Sequence, residues 1–268
     1  MSGRAFWGTI LLLLSALCLA DFPTGAQDEA QYPQGSEGGQ KLARDLRNMR
    51  LEDAHWKGEL KIHRHGPQGR STTVVPVFGQ AVSGDTQWKM IYLTSAADSL
   101  PAEQVTVVHT LDSTNEYLYA RAPSPGAPLG EPKVLSGDEA NIPLAGSDFW
   151  LSDVGFEFFH WPGQELLKGQ MRHGQACWVL ESTNPNPKPG GYSRVVSFID
   201  KNNGGPLQAE GYGADGKLLK EFALGKVKKV NGRWELKRME ISNDLTDSRT
   251  ELEFDLDEKA APDGQHPK

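Results

Sequence analysis

The side chains able to do chemistry are few, and their spacing suits it poorly. His63 and His65 share one face if they sit on a strand, where two imidazoles and a third donor such as His55 would chelate a divalent metal. No remaining ligands follow at recognisable spacing, so a solvated strand face beside Arg64 is the expected role. No metal and no cofactor is expected. Asp148, Asp153 and Glu157 have the look of paired carboxylates for acid–base work. Acids near a helix start, where they meet the positive end of the dipole, account for them better. His160 lies between Phe159 and Trp161 and is expected to be packed or at the surface. Cys177, followed by Trp178, Val179 and Leu180, is expected to be an inert core thiol. Nucleophile elbow, P-loop, dinucleotide fingerprint and zinc-protease motifs are all missing. The expectation is therefore no enzyme; a hydrolase working through Asp153 or His160 is the catalytic alternative.

Composition points the same way. A chain of 268 residues with net charge −7 lacks the basic field that phosphate binding needs, so nucleic acid is not an expected partner. Two cysteines are too few for a disulfide framework, and the longest apolar run falls short of the ~20 residues of a membrane-spanning helix. That run is nevertheless informative. Arg4 followed by the apolar stretch 10–20 (ILLLLSALCLA), with small residues around positions 20 and 26, reads as a secretory signal peptide over 1–20, with cleavage as late as 26. Cys18 raises the option of lipidation, but Leu17 before it is large for that processing site. Residues 21–40 are polar, Gly/Pro/Gln-rich and without period, which predicts a flexible linker.

The elements that would position any site are mostly strands. Leu42, Leu46 and Met49 predict a short amphipathic helix over 41–50. Beyond it the period is two, with strands expected from Trp56 and over 72–77, 87–94, 105–111, 117–121, 177–181 and 192–200. Asp215-Gly216 and Asn231-Gly232 predict hairpins, and an apolar face that slips within 234–241 predicts a bulge near Lys237-Arg238. Residues 250–256 alternate cleanly, and the tail 257–268 is expected to be disordered.

One segment breaks this pattern. From Phe149 to about Trp161, with Ser147 or Asp148 as cap and Pro162 as stop, the residues predict a helix about 20 Å long that is apolar on nearly every side. Such a helix must be enclosed. It is the expected cover of a strand meander, with Trp150, Val154, Phe158 and Trp161 as candidate cavity or lid residues.

Three stretches in order resemble the outer-membrane lipoprotein-sorting protein family, the LolA/LolB-like carriers: 144–153 (LAGSDFWLSD) running into 156–161 (FEFFHW), 192–200 (YSRVVSFID), and 215–220 (DGKLLK) with Trp234 and 248–250. The resemblance spans residues 72–256 of a single expected domain, 41–256. It implies a mostly β fold with helical cover, an antiparallel meander forming an incompletely closed barrel around an apolar cavity. It also implies a periplasmic, non-enzymatic protein that binds lipid or lipoprotein acyl chains in outer-membrane lipoprotein sorting, at most peripherally membrane-associated or held by a lipid anchor. An envelope sensor or interaction module binding a peptide or lipid partner on the same fold is the alternative. No functional arginine of the carriers aligns here; Arg64, Arg70 and Arg121 are equally placed.

Overall fold

Trp88, Met90, Tyr92 and Thr94 are buried while the residues between them turn outward, and that alternation makes Gln87–Thr94 a strand with one wet face. The same rule builds most of the molecule. The computed structural model describes residues 32–50, 52–67, 69–97, 99–230 and 233–255, with the side chains of 225–235 left aside. The signal segment with Cys18, the first part of the linker, the Asn231-Gly232 dipeptide, the Trp234 side chain and the tail from 257 lie outside the described residues.

Helix α1 (Ser36–Arg47) leads into β1 (Ala54–Gly66), β2 (Gly69–Val82), β3 (Gln87–Thr94), β4 (Glu103–Thr110), β5 (Glu116–Arg121) and the short β6 (Lys133–Leu135). A cover segment over 136–162 follows, carrying helix α2 (Leu151–Val154) and three single 3₁₀ turns. The chain then returns through β7 (Gly163–Arg172), β8 (Gln175–Thr183), β9 (Arg194–Asp200), β10 (Pro206–Tyr212), β11 (Leu218–Val230), β12 (Arg233–Asn243) and β13 (Ser248–Phe254).

These strands make one 13-stranded sheet in the order β6-β5-β4-β3-β2-β1-β13-β12-β11-β10-β9-β8-β7, every pair antiparallel. Each strand pairs with its sequence neighbour except at β1–β13, where Leu60 faces Leu252 and Ile62 faces Thr250. The chain thus starts mid-sheet, walks out to the β6 edge, crosses along the cover to the β7 edge and walks back. The two edges do not pair, so this is the expected antiparallel meander, mostly β and not fully closed. The cover spans the gap because it is the connection between the two edges.

Two apolar clusters fill the concave side. One joins β1–β5, β12 and β13 to Leu144, Phe149, Leu151 and Val154 of the cover. The other joins α1 and β7–β11 to Phe158 and Phe159. Phe156 and Phe222 pack against both. On the convex side Cys177, Val179, Val196 and Phe198 form a third, smaller cluster, so β8 and β9 are buried on both faces. Cys177 is a free, fully buried thiol there.

Two expectations are corrected. Helix α1 begins at Ser36, inside the stretch expected to be linker, and Tyr32 before it is buried with its ring edge-on to Trp178 at 5.1 Å. The glycines that made this stretch read as linker are what allow the helix: a Cβ on Gly39 would stand 2.5 Å from the Gln164 carbonyl of β7. The helix expected over 149–161 is instead two turns, Leu151–Val154 and Glu157–His160, separated by Phe156 in the left-handed region at φ 49°. A continuous helix would aim its aromatic rings in every direction at once. The reversal sends Leu151 and Val154 into one cluster and Phe158 and Phe159 into the other. Gly155 permits it, because a Cβ there would lie 2.3 Å from the Tyr117 hydroxyl. The expected bulge is present: the β11–β12 register slips between Lys226↔Arg238 and Val227↔Leu236.

Candidate functional site

The reversal at Gly155-Phe156 leaves space on both sides of the cover. The first cavity, with about 630 Å³ of empty space counting the part open to solvent, lies where the end of α1 meets the cover and β3. Its apolar wall comes from Leu46, Met49, Trp88, Met90, Val154 and Phe159. The second, about 360 Å³ on the same measure, lies between the cover and β9–β12, against Phe158, Tyr192, Phe222 and Ile241. Phe156 lines both and forms the partition. The wall of the first is mostly apolar with a few polar groups, the character of small-molecule sites.

Polar groups in the walls are few and strongly placed. Lys220 on β11 is buried beneath the Trp150 ring, its Nζ 3.3 Å from the ring centroid, donating to the Asp148 carbonyl at 2.7 Å and paired with Asp153 at 3.4 Å. Burial pulls this ammonium down to about 8, against the pull of Asp153. Asp148 is not the expected helix cap. Its carboxylate accepts from the Ser248 and Thr250 hydroxyls at 2.6 and 2.8 Å and fastens the cover to β13. Asp153 does the capping, accepting the Trp150 backbone N–H at 2.8 Å. Glu157 accepts from Tyr117 Oη at 2.9 Å and from Asn115, and burial pushes its carboxyl up to about 7.

In the first cavity the titratable wall groups are Arg47, His109 and His160. His109 stacks on Trp88 with centroids 5.6 Å apart, and burial holds it down to about 4. His160 is held down to about 3, by burial first and then by Arg47. Both imidazoles are neutral at pH 7.

The four residues expected to form cavity or lid are spread along the cover. Val154 lines the first cavity and Phe158 the second. Trp150 packs tilted against Tyr192 at 4.7 Å, above Lys220, and Trp161 packs half-buried beside Phe158 at 6.4 Å. Neither tryptophan lines either of these two cavities. Sequence reasoning missed Trp88, Met90, His109 and Arg47, whose strand or helix patterns gave no hint of a shared cavity. His63 and His65 sit on the outer face of β1, bonded to Thr72 and Asp247. His55 on the same face is eight residues away, about 26 Å along a strand. Among the described residues no group of three His, Cys, Asp or Glu is placed to hold a metal. No helix among them is long and apolar enough to cross a membrane.

Comparison with known proteins gives a family and a fold. Residues 86–260, well over half of the chain, match the model of a family described as "-like: Uncharacterized protein". No curated protein matches the sequence. Among solved structures, a DUF1329 family protein from Desulfovibrio piger superposes with TM-score 0.60 at 16% identity, covering 84% of this chain and 95% of that one. A putative outer membrane lipoprotein-sorting protein domain from Vibrio parahaemolyticus gives 0.60 at 23% identity, covering 82% and 91%. A LolA superfamily protein from Nitrosomonas europaea gives 0.50 at 16%, covering 81% and 91%. At these identities the likeness is one of fold, and the fold is LolA-like, as the resemblance implied.

Proposed function

We propose, for a chain that belongs to the family matched over residues 86–260 and carries the LolA-like fold, a role as an exported, non-catalytic protein that holds lipid or lipoprotein acyl chains. The observation that carries this reading is the apolar cavity between α1, β3 and the cover, partitioned from its neighbour by the single ring of Phe156. An acyl chain in water costs about 0.8 kcal/mol per exposed CH₂, so a soluble carrier must hide it. Here Val154 and Phe159 on the cover face Trp88 and Met90 on the sheet across the space where a chain would lie. Phe158 borders the second space, and Trp150 and Trp161 would frame the cover as it gives way. The strong polar groups of the second cavity are engaged with each other, Lys220 with Asp148 and Asp153. That spends them on holding the cover rather than on catalysis. On this reading residues 1–20 serve as an export signal and the protein works in the periplasm, in lipoprotein sorting, with a tether to the outer membrane if Cys18 is lipidated.

Native mass spectrometry of the protein purified from its own envelope without detergent tests the reading. A bound mass matching phospholipid or acylated peptide is expected, and the same spectrum reports whether residue 18 carries lipid. Val154→Phe, which fills the first cavity from the cover side, is expected to lower retained lipid at least about fivefold, with the far-UV circular dichroism of the parent. A clean apo mass in the parent, persisting after incubation with phospholipid vesicles, would overturn the carrier and point to an interaction module on this fold.

A further inference from the structure

A cavity meant only for hydrocarbon has no use for a cation in its wall, yet the first cavity has one. Arg47 stands in the last turn of α1, half-buried, and turns its guanidinium to the cover, where Nη1 reaches the Phe159 carbonyl at 3.3 Å. That is long for a bond from a charged donor. Its Nε is buried with no hydrogen-bond partner. The Nε of Arg172 and of Arg238 is buried without a partner too, but the other half-buried arginines among the described residues each face a carboxylate: Arg172 with Glu210, Arg194 with Glu181, Arg238 with Glu251. Arg47 has none within ion-pair distance among the described residues, and only the exposed Asp112 attracts it from farther away. The two other titratable groups in the wall, His109 and His160, are neutral at pH 7, so the wall carries one positive charge and no negative one. A partly desolvated cation with an unused donor is a cost that an incoming anion removes.

We propose that the first cavity selects amphiphiles with an anionic head, an acyl carboxylate being the simplest, over uncharged ones of equal length, through Arg47. This rests on the acyl-chain reading above and names the head that the chain carries. The guanidinium offers a planar fork matched to a carboxylate.

Titration calorimetry of the purified chain with dodecanoate and with 1-dodecanol, both below their aggregation limits, decides the matter. Dodecanoate is expected to bind at least about tenfold tighter. In Arg47→Gln the ratio of the two affinities is expected to fall to within about twofold, and Arg47→Lys, which keeps the charge but loses the fork, is expected to retain an intermediate ratio. Thermal unfolding checks that each variant is folded. Should Arg47→Gln fail to fold, the parent's own preference and the Lys variant still decide. Equal affinity of the parent for the two probes overturns the anionic-head inference and leaves the acyl-chain reading standing. Binding of neither probe overturns both.

Discussion

The two halves of the cover are held by different physics. From Ala145 to Asp153 it is pinned by directional polar bonds: Ala145 N–H to Glu103 at 2.7 Å, Arg64 to the Gly146 carbonyl, Asp148 to Ser248 and Thr250, Lys220 to the Asp148 carbonyl. From Phe156 to Trp161 it is held mainly by rings, with Phe158 and Phe159 4.6 Å apart and Phe156 about 6 Å from each. The Gln164 and Arg47 side chains, donating to carbonyls of this half, and Tyr117 and Asn115, donating to Glu157, supplement them. A buried polar network has one satisfied geometry, whereas aromatic packing tolerates rearrangement at small cost. Both cavities border the aromatic half, through Phe156, Phe158 and Phe159. The part of the cover that can repack is therefore the part that supplies its rings to both cavities, and the pinned part, which reaches the second cavity at Asp153, is its anchor.

Breaking the anchor is expected to have the largest effect. Asp153→Ala removes both the counter-ion of the buried Lys220 and the acceptor for Trp150 N–H, and is expected to cost about 3–5 kcal/mol in urea unfolding. A loss under about 1 kcal/mol would show that the two halves do not differ in this way.

Next comes the titration of Glu157, the buried carboxyl within the aromatic half. Its carboxyl titrates near about 7 when folded, against an ordinary 4.5, because burial disfavours the charge. Between those values the folded state keeps a proton that the unfolded state has lost, so stability falls as pH rises from 4.5 through 7. The decrement is at most on the order of 3 kcal/mol. Glu157→Gln keeps an acceptor for Tyr117 and removes this slope, so its stability relative to the parent is expected to rise by about 1–3 kcal/mol between pH 5 and pH 8. His109 and His160, lowered to about 4 and about 3, act oppositely, their contribution being lost as pH falls below 6.5. They are common to both proteins and cancel in the difference.

The smallest effect is expected in the aromatic half. Phe159→Leu should cost only about 1–2 kcal/mol, because Phe156 and Phe158 can shift toward the gap. It should also enlarge the first cavity. A thermal melt and the longest saturated fatty acid bound would register the two changes separately. If Phe159→Leu destabilised as much as Asp153→Ala, the aromatic half would be as rigid as the anchor.

Strands with one wet face were legible residue by residue. Gln87–Thr94 was expected within those bounds, and the bulge beside Lys237 was visible as a slipped apolar face. Strands β7 and β10 were not. Strand β7 is an exposed edge whose paired Leu166-Leu167 breaks the alternation, and β10 opens on Pro206 and carries a glycine opposite Tyr192. The greasy stretch 149–161 was legible as something that must be enclosed, and so Val154 and Phe158 were singled out. Its reversal at Phe156 was not, because only the two separate clusters give the rings reason to part.

The sequence by itself determined the fold class, the order of most strands, the apolar cover and the poverty of catalytic groups, since these depend on local period and on residue type. Tertiary structure alone decided the helix in the glycine-rich stretch before Gln40, the anchoring of Asp148 on β13, and the meeting of Arg47, His109 and Trp88 around one cavity. Each depends on what the partner surface offers: a backbone close enough to need glycine, hydroxyls placed to satisfy a buried carboxylate, a cation left without a counter-ion. Those partners lie as much as a hundred residues away along the chain, beyond the reach of any local pattern.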